Sequence, residues 1–592
     1  MKRKQYGLMN VLYRTEKDIF EIAPLRAVIM IVALAFQSST VGLQTLYLSR
    51  TFTYAEQSIS DYSQRETAIN SLIFLILIFL FRQIAETVFS SSMIEVDSKV
   101  MYQLNMRLVR KCEKVPLICF EDSAWKDELT RAKQCLKWTR LSDLSLSFYN
   151  IMSEVISLTS VAIVLATFNI WLIPISVFSV VPFFVVRLIR GNQFYKLKWF
   201  QSSQERKKNY FYNLFSNKQS VKEIKVMNIS DYLFAKWNGI KDQINKEEWN
   251  FRRKDLVSLI WCESIRILGY FVCIVFVICL ATKGMISIGM MAGCMVAFKG
   301  FQDNMKYILI NIGRTPEYAA FCCDYYRFMD MKIKETGNLV LDKDFGTIQL
   351  SNVSFSYPNI EKPVINDVSC EIYSGESVVI LGENGSGKTT LSKLILGLYK
   401  TKCGTVKYNG VNINDMNKEE FYKDVALVSQ DYMQYNLSVR ENITLNDKND
   451  DATQKKVMEI LDYMGLNSLV SGKDGIDILM GNEFGGAELS KGQWQKIAIA
   501  RTLYKESKIV FLDEPTSALD PIIEDEILRK FLSVVKNKTA IIVSHRVGLC
   551  KEVDKIIVMK DGKIVEIGDH ETLYNKKGEY YKLYSTQAKW YN

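Results

Sequence analysis

The stretch GENGSGKT, residues 382–389, decides the fold of the second half of the chain. A strand-like run, residues 377–381, precedes it, and a helix-like run, residues 390–398, follows it. A glycine-rich turn that ends in Lys-Thr between a strand and a helix is a complete P-loop, and a chance glycine turn rarely keeps every position in this setting. The pattern therefore predicts an α/β domain that binds a nucleotide.

Each P-loop position has a chemical reason. The glycines that allow backbone N–H groups to turn toward phosphate oxygens are Gly382, Gly385 and Gly387. Lys388 reaches the terminal phosphates, and Thr389 offers its hydroxyl to magnesium. The other residues predicted to bind ATP are Glu383, Asn384, Ser386 and Thr390.

A P-loop alone does not distinguish kinases, GTPases and motor ATPases, so a second acidic site matters. The apolar run at residues 509–512 is followed by Asp513 and Glu514. Asp513 can hold magnesium through water, and Glu514 is placed to take a proton from an attacking water. An ordinary strand end more often carries one acid and then a turn, so this pair is interpreted as catalytic.

The motif LSKGQ, residues 489–493, precedes a helix-patterned run at residues 494–504. Taken by itself, the motif predicts a capping box, in which the Ser490 side chain caps the helix and the Gln493 side chain bonds back to the N–H of Ser490. The Ser490 hydroxyl and the Gly492 amide at a positive helix end would also form a phosphate site. Both interpretations are open at this point.

Composition limits the class of protein. With 592 residues, the chain is long enough for at least two domains. The net charge is +10, but the basic residues flank long apolar runs, which is the positive-inside pattern and argues against nucleic-acid binding. The twelve cysteines show no paired zinc-like spacing, so free buried thiols are preferred to disulfides or metal ligands.

The first half contains six apolar runs that are long enough to cross a membrane. The first run follows a basic N-terminal stretch and is too long for a cleavable signal sequence. The six predicted spans are residues 24–48, 69–92, 148–168, 170–189, 256–281 and 286–312.

Loop charges orient these spans. The connections between spans two and three and between spans four and five are long and rich in Lys and Arg, so both are predicted to be cytoplasmic. They would form two helical hairpins that meet the domain below, and both chain ends would lie on that side. The short outer loops favour a bacterial inner membrane. The predicted division is a membrane domain at residues 1–328, a linker at 329–345 and the nucleotide-binding domain at 346–592.

Some predicted spans carry charge. Each charged group can pair on one helix face, and charge inside a membrane indicates either a water-filled pathway or snorkelling near a helix end. The sequence does not choose between these readings for the groups Arg82 and Glu86, Glu263 and Arg266, and Lys299, Asp303 and Lys306.

The motifs GENGSGKT, LSKGQ, FLDEP and SALD in this order closely resemble the ATPase domain of ABC transporters. The six preceding spans with long cytoplasmic loops resemble a half-sized exporter, so the resemblance covers essentially the whole chain. It implies a helical membrane domain followed by an α/β P-loop ATPase with a helical subdomain. It also implies ATP and Mg²⁺ as cofactors, a second half-transporter subunit, expected to be another copy of the chain, and export of a peptide, a lipid or an amphipathic small molecule.

The resemblance further implies roles for single residues. Tyr357 in FSYPN resembles the aromatic that stacks on adenine, and Gln430 in VSQD resembles the glutamine that touches magnesium and water. His545 resembles the switch histidine that contacts the γ-phosphate, and Asp520 in SALD would bridge two ATPase domains. The residues expected to contact ATP held by the opposite subunit are Ser490, Gly492 and Gln493.

The chain departs from the family pattern at Lys491, where the usual signature has glycine. Activity is expected to survive, because Ser490 and Gly492 keep the phosphate-facing roles; a Lys491→Gly variant that raised turnover from near zero would contradict this. The unusual FGGAEL at residues 484–489 hints at a peptide-exporting subgroup. His570 in GDHET is expected to be structural.

Three other functions remain open from the sequence. The first is an ATP-gated channel or regulatory membrane protein, which could not accumulate its solute against a gradient. The second is a soluble ATPase with buried helices, which would partition into buffer rather than detergent. The third is an importer with an exporter-like fold.

Overall fold

The structure, a computed structural model, describes residues 6–137, 139–332, 337–340, 346–358, 360–514, 529, 531–533 and 538–588. The chain divides into two compact units. The first contains Met1–Glu113 and Asp127–Met331, and the second contains Lys114–Lys126 and Lys332–Asn592. Asp520 lies outside the described residues.

The first unit is built from helices throughout its described residues. Most of them are far longer than the helices of ordinary globular domains. They are α1 (Leu8–Ile22), α2 (Pro24–Ser60), α3 (Arg65–Glu113), α4 (Ser123–Lys137), α5 (Arg140–Phe168), α6 (Leu172–Ser216), α7 (Lys218–Val226), α8 (Ser230–Thr282) and α9 (Ile288–Asp330).

Each predicted span falls largely within one of the long helices α2, α3, α5, α6, α8 and α9. Four segments among the described residues are long and apolar enough to cross a membrane: Pro24–Ile59, Tyr62–Glu113, Arg140–Phe168 and Ser230–Thr282. A shorter apolar segment, Leu172–Val186, begins α6. The sixth predicted span, in α9, contains the three charged residues Lys299, Asp303 and Lys306.

The long helices extend well beyond a bilayer. Helix α3 has 49 residues, which at 1.5 Å per residue is about 73 Å, against about 30 Å of hydrocarbon. Along its apolar part, large side chains such as Phe74, Phe79 and Leu80 are exposed. These residues suit contact with lipid rather than with water.

Small residues allow the membrane helices to approach closely. A Cβ on Gly293 would lie 2.5 Å from Cβ of Ser49, and a Cβ on Gly289 would lie 2.3 Å from the backbone nitrogen of Thr53. Helices α2 and α9 therefore meet backbone to backbone, a common arrangement where van der Waals packing replaces the hydrophobic effect. Buried Leu165, Leu172 and Phe298 fill the adjoining core.

Four of the charges in the spans, on α8 and α9, form a connected set of ion pairs. Arg266 on α8 bonds Glu263 at 2.8 Å and also bonds Asp303 on α9. Lys306 reaches Glu263 at 2.5 Å. Mutual pairing lowers the cost of placing these groups within a membrane.

The second unit contains two sheets. The strands are β1 (Thr347–Phe355), β2 (Ile365–Tyr373), β3 (Ser377–Gly382), β4 (Cys403–Tyr408), β5 (Val411–Asn412), β6 (Val425–Val428), β7 (Ile509–Asp513), β8 (Thr539–Val543), β9 (Lys555–Lys560) and β10 (Lys563–Gly568). One sheet is antiparallel with the order β2-β1-β4-β5. The other has the order β10-β9-β3-β8-β7-β6, and it is parallel except for β10 at one edge.

Helices complete this unit: α10 (Lys388–Ile395), α11 (Lys418–Lys423), α12 (Val439–Thr444), α13 (Asp451–Tyr463), α14 (Lys491–Tyr504), α15 (His570–Lys576) and α16 (Glu579–Ala588). The strands β3, β7 and β8 are buried along nearly their whole length, as expected for a parallel sheet covered on both faces. The unit therefore has the α/β fold predicted from the P-loop.

Part of the predicted linker is attached to this unit. The N–H of Leu339 donates to the carbonyl of Asp415 at 3.0 Å, and the N–H of Asn417 donates to the carbonyl of Leu339 at 2.8 Å. A Cβ on Gly337 would lie 1.9 Å from the carbonyl carbon of Asp415, so only glycine fits there.

Candidate functional site

The sheet register brings the predicted catalytic segments to one edge. In the parallel sheet, Ile380 on β3 pairs with Val543 on β8, and Val543 also pairs with Asp513 on β7. The P-loop follows β3, and His545 follows β8 by two residues. Since carboxyl ends of parallel strands share one edge, the site assembles there from distant parts of the sequence.

The P-loop has the predicted strand–turn–helix setting. Helix α10 begins at Lys388, and its N-cap Gly387 has φ 100°, a left-handed conformation that suits glycine. A Cβ on Gly387 would also lie 2.8 Å from Cδ1 of Ile365. The Ser386 hydroxyl is buried and has no hydrogen-bond partner among the described residues. Such an orphaned donor beside a helix N-terminus fits a phosphate oxygen.

Lys388 folds back across the loop. Its Nζ donates to the carbonyl oxygens of Gly382 at 2.9 Å and Glu383 at 3.0 Å. The residue is 5% exposed. Burial lowers the pKa of Lys388, and the carboxylates of Glu514 and Asp513 oppose that shift. The ammonium is therefore already desolvated and held close to the position where phosphate would bind.

Thr389 and Asp513 form the predicted metal pair. The Thr389 hydroxyl donates to Oδ1 of Asp513 at 3.1 Å. Burial raises the pKa of Asp513, while the hydrogen bond from Thr389 lowers it. One hydroxyl and one carboxylate suit Mg²⁺, which usually keeps water and substrate phosphates as its other ligands. Accordingly, no cluster of three or more His, Cys, Asp or Glu side chains is needed, and none occurs among the described residues.

Glu514 and His545 lie side by side. Nδ1 of His545 is 3.5 Å from Oε1 of Glu514. The Glu514 side chain is 14% exposed and that of His545 is 43% exposed. The N–H of Glu514 donates to the carbonyl of Val543 at 3.0 Å, and Glu514 has φ 46°. A non-glycine residue in the left-handed region is strained, and such strain is often found at functional sites.

Gln430 lies at the same edge of the sheet. Strand β6 pairs with β7 through Val428 and Leu512, and Gln430 follows the end of β6 by two residues, as Glu514 follows Leu512. Its side chain is exposed. The position is compatible with the predicted contact to magnesium or water.

Tyr357 contacts the helix of the P-loop. Its hydroxyl lies 3.1 Å from Oγ1 of Thr390. Its ring packs edge-on against Phe355 and Tyr399, with centroid distances of 5.2 and 5.8 Å. An aromatic fixed beside the P-loop is suitably placed to accept a nucleobase.

The aromatic group continues into a segment that comes from the first half of the sequence. The Tyr399 hydroxyl donates to Oε1 of Glu121 at 2.9 Å, and Ile118 packs against the same core. Burial, followed by the bond to Glu121, raises the pKa of Tyr399. Segment Lys114–Lys126, within the first predicted cytoplasmic hairpin, thus belongs to the second unit. Neither Glu121 nor Tyr399 was marked by the sequence.

The LSKGQ motif begins helix α14 as a complete capping box. The N–H of Gln493 donates to Oγ of Ser490 at 3.2 Å, and the N–H of Ser490 donates to Oε1 of Gln493 at 2.9 Å. Lys491 is the first helical residue, and its carbonyl accepts from the Tyr432 hydroxyl at 3.0 Å. The capping prediction is confirmed. The expected contact of Ser490, Gly492 and Gln493 with ATP on another subunit stays a prediction.

The remaining histidine is in a tyrosine cluster. Nδ1 of His570 lies 2.6 Å from the hydroxyl of Tyr580, and the rings of Tyr574 and Tyr584 pack around it. Burial lowers the pKa of His570. This environment agrees with the structural role expected from the sequence.

A P-loop α/β domain with an acidic strand end, preceded by a bundle of long apolar helices, defines a membrane-bound ATPase. The sequence profile of the ABC transporter family matches residues 365–517. Subtilin transport ATP-binding protein SpaT of Bacillus subtilis is 31% identical over 495 residues, covering 81% of this chain and 79% of that protein. The chain therefore belongs to the ABC transporter family.

Other relatives extend the comparison. Nisin transport ATP-binding protein NisT of Lactococcus lactis subsp. lactis is 29% identical over 581 residues, covering 97% of this chain and 95% of that protein. An ATP-dependent lipid A-core flippase of Haemophilus ducreyi is 34% identical over 269 residues, covering 45% of this chain and 46% of that protein.

Among solved structures, a bacterial Atm1-family ABC exporter with ATP bound has a TM-score of 0.80 at 19% identity. The match covers 96% of this chain and 99% of that one, so the fold is that of an ABC exporter. The protein is a multi-pass membrane protein that uses ATP with Mg²⁺, and its ATP hydrolysis drives export.

Proposed function

We propose that two copies of this chain form an exporter that moves a peptide out of the cytoplasm of a bacterium. The observation that carries the substrate class is the similarity along nearly the whole chain to proteins named for nisin and subtilin transport. Lipids and amphipathic drugs are the alternatives, because the partial relatives include a lipid A-core flippase.

In the proposed reaction, water attacks the terminal phosphoryl group of ATP and ADP leaves. Bound Mg²⁺ would neutralise charge on the phosphates. The P-loop amides and Lys388 would hold the phosphates, while Thr389, Asp513 and Gln430 would hold the metal, directly or through water. Glu514 takes the proton from the attacking water, and His545 orients the terminal phosphate beside it. The distance of 3.5 Å between Glu514 and His545 supports this shared task.

The second copy completes each site in this proposal. Ser490, Gly492 and Gln493 of one copy face ATP held by the P-loop of the other, and Asp520 bridges the two ATPase domains. ATP closes the pair, the two hairpins transmit closure, and the spans change from inward-open to outward-open. The chain ends and the ATPase domain lie in the cytoplasm, since the basic loops are predicted to be on that side of the bacterial inner membrane.

The test is uptake into inside-out proteoliposomes that contain the purified chain. ATP should drive accumulation of a labelled peptide above its external concentration, and a panel of peptides, lipids and drugs should show which class stimulates ATP turnover. Equilibration without accumulation would identify an ATP-gated channel instead. Stimulation by lipids alone would replace the proposed substrate class.

Glu514→Gln provides the inactive control. ATP binding should remain, whereas steady turnover should fall by about 10²–10⁴-fold, because the amide cannot accept the proton from water. Glu506→Gln is the matched comparison, since Glu506 is 89% exposed and pairs only with Lys456 among the contacts described. Normal turnover in Glu514→Gln would remove Glu514 as the base.

A further inference from the structure

The C-terminal helix α16 holds the loop that carries His545. Nε2 of Gln587 donates to the carbonyl oxygen of His545 at 2.5 Å. The N–H of Val547 donates to Oε1 of Gln587 at 3.0 Å. One side-chain amide thus bonds the backbone on both sides of Arg546.

The two partners define the orientation of the Gln587 amide. A reversed amide would place its oxygen against a carbonyl and its nitrogen against an N–H, so both bonds would be lost. A planar amide that satisfies one acceptor and one donor fixes the relative position of two peptide groups. Within the turn itself, the N–H of Arg546 donates to Oγ of Ser544 at 2.9 Å, and that hydroxyl donates weakly to the carbonyl oxygen of Arg546 at 3.5 Å.

Helix α16 is itself firmly attached. The N–H of Tyr580 donates to Oε2 of Glu566 on β10 at 2.8 Å, and Tyr580 is fully buried. Leu583 and Tyr584 pack against the main core of the unit. Gln587 therefore projects from a helix that is anchored to the sheet. Through the two hydrogen bonds of Gln587, the same helix also restrains the His545 loop.

His545 depends on its backbone for its position. Its side chain is 43% exposed, so little packing restrains the ring, and Nδ1 lies 3.5 Å from the carboxylate of Glu514. A small rotation of the peptide after His545 would change that distance. Geometry at a catalytic centre is sensitive to displacements of this kind.

We propose that Gln587 is a positioning residue that sets the His545 loop for ATP hydrolysis. The inference rests on the proposed role of His545. Gln587 acts through the backbone of residues 545–547 and does not touch the nucleotide. Helix α16 thereby contributes to ATP hydrolysis by positioning the His545 loop, in addition to its structural role.

The test measures ATP turnover and ATP-analogue binding by the full chain in lipid nanodiscs. Gln587→Ala should lower kcat about three- to tenfold, as expected for losing two modest hydrogen bonds, with KM and the affinity for a fluorescent ATP analogue unchanged. Gln587→Glu should lower kcat at least as much, because its carboxylate can accept from Val547 but faces the His545 carbonyl without a donor.

Tyr580→Phe is the matched control for the stability of α16. It removes the hydroxyl bonded to His570 while leaving Gln587 in place. Its kcat should stay near that of the parent protein even if Tm falls. An equal loss of kcat in Tyr580→Phe, or a parent-like kcat in Gln587→Ala, would overturn the proposal.

The His545→Ala variant separates this inference from the proposed function. If Gln587 acts through His545, adding Gln587→Ala to His545→Ala should cause no further loss of kcat. Normal turnover in His545→Ala would refute the proposed role of His545 itself. A large additional loss in the double variant would show that Gln587 acts elsewhere and would refute only the inference.

Discussion

Asp513 is proposed to hold Mg²⁺, yet its surroundings disfavour the ionised carboxylate that this role requires. The residue is 6% exposed, and burial raises the pKa of its carboxyl group. A raised pKa means that the folded protein disfavours the ionised form, so ionised Asp513 costs stability above its folded pKa. The metal nevertheless needs that ionised form.

We expect Asp513→Asn to raise Tm by about 1–3 °C in Mg²⁺-free buffer at neutral pH and to abolish Mg²⁺-dependent turnover. The gain should shrink as the pH falls, because parental Asp513 then becomes protonated and neutral like asparagine. Thermal melts of the full chain across a pH series measure this, with exposed Asp474→Asn as the comparison. If the Tm difference between Asp513→Asn and the parent protein grew as the pH fell, the raised pKa assigned to Asp513 would be contradicted.

Residues whose chemistry is local were predictable. Lys388, Thr389, Asp513 and Glu514 follow from motifs in which neighbouring positions act together, and the structure places them at one sheet edge. Gln587 gave no such signal, because its partners lie on a loop remote in sequence and its contacts are to backbone. A glutamine near the end of a chain is indistinguishable from a solvated one until the fold is known.

At the scale of elements, two helices begin with the same device. Ser438 and Glu441 form a capping box on α12, as Ser490 and Gln493 do on α14. This duplication allows capping to be separated from the proposed phosphate contact.

Ser438→Ala and Ser490→Ala should each cost about 1 kcal/mol of stability, the usual value of an N-cap. Only Ser490→Ala should lower ATP turnover strongly, by at least about tenfold, which is the size of effect expected for losing a donor to a phosphate. Thermal melts and steady-state turnover compare the pair. Equal turnover in both variants would leave Ser490 as a cap alone.

The segment Lys114–Lys126 provides an element-scale test of coupling. It belongs to the ATPase unit although it continues directly from α3. Glu121 receives the Tyr399 hydroxyl bond, and the Tyr399 ring packs against Tyr357, the predicted adenine platform.

Glu121→Ala should leave basal ATP turnover within about twofold, because a single part-buried hydrogen bond contributes modestly, while stimulation of turnover by the proposed peptide substrate should be lost. Turnover with and without peptide measures both quantities. Glu128→Ala on α4 serves as the comparison. Full stimulation in Glu121→Ala would show that coupling does not use this bond.

Element boundaries were less predictable than element types. Helix α3 spans Arg65–Glu113, whereas hydropathy marked residues 69–92. Hydropathy identifies only the apolar part of a helix that suits contact with lipid. It does not show where the helix ends when polar residues continue the same helix beyond the membrane. Leu339, within the predicted linker, pairs with Met416 through backbone groups, for which side-chain patterns give no indication.

At the scale of the whole molecule, the proposed pair of chains makes a complementation experiment possible. In the proposed function, Glu514 as the base and Ser490 as the signature residue serve one ATP from different chains. Two variants that are each inactive should therefore repair one another when mixed.

Glu514→Gln mixed one to one with Ser490→Ala should restore roughly a quarter of parental turnover. Half of the pairs would be mixed, and each mixed pair would contain one intact site of two, as two-fold symmetry requires. Turnover of co-reconstituted proteins measures this. Substituting the double variant for Ser490→Ala should give no recovery. No recovery in the first mixture, with pairing verified, would show that Ser490 and Glu514 of the same chain serve one ATP, and would contradict the proposed exchange between chains.

The order of strands has a consequence for how the protein is made. Strand β3 lies between β8 and β9, both of which are synthesised long after it. A growing chain that has emerged only to Tyr504 presents a P-loop strand without either neighbour, and non-local pairing of this kind is slow. ATP binding should therefore begin only once Lys560, the last residue of β9, has left the ribosome. The membrane helices then have time to insert into the bilayer before the ATPase unit can hydrolyse ATP.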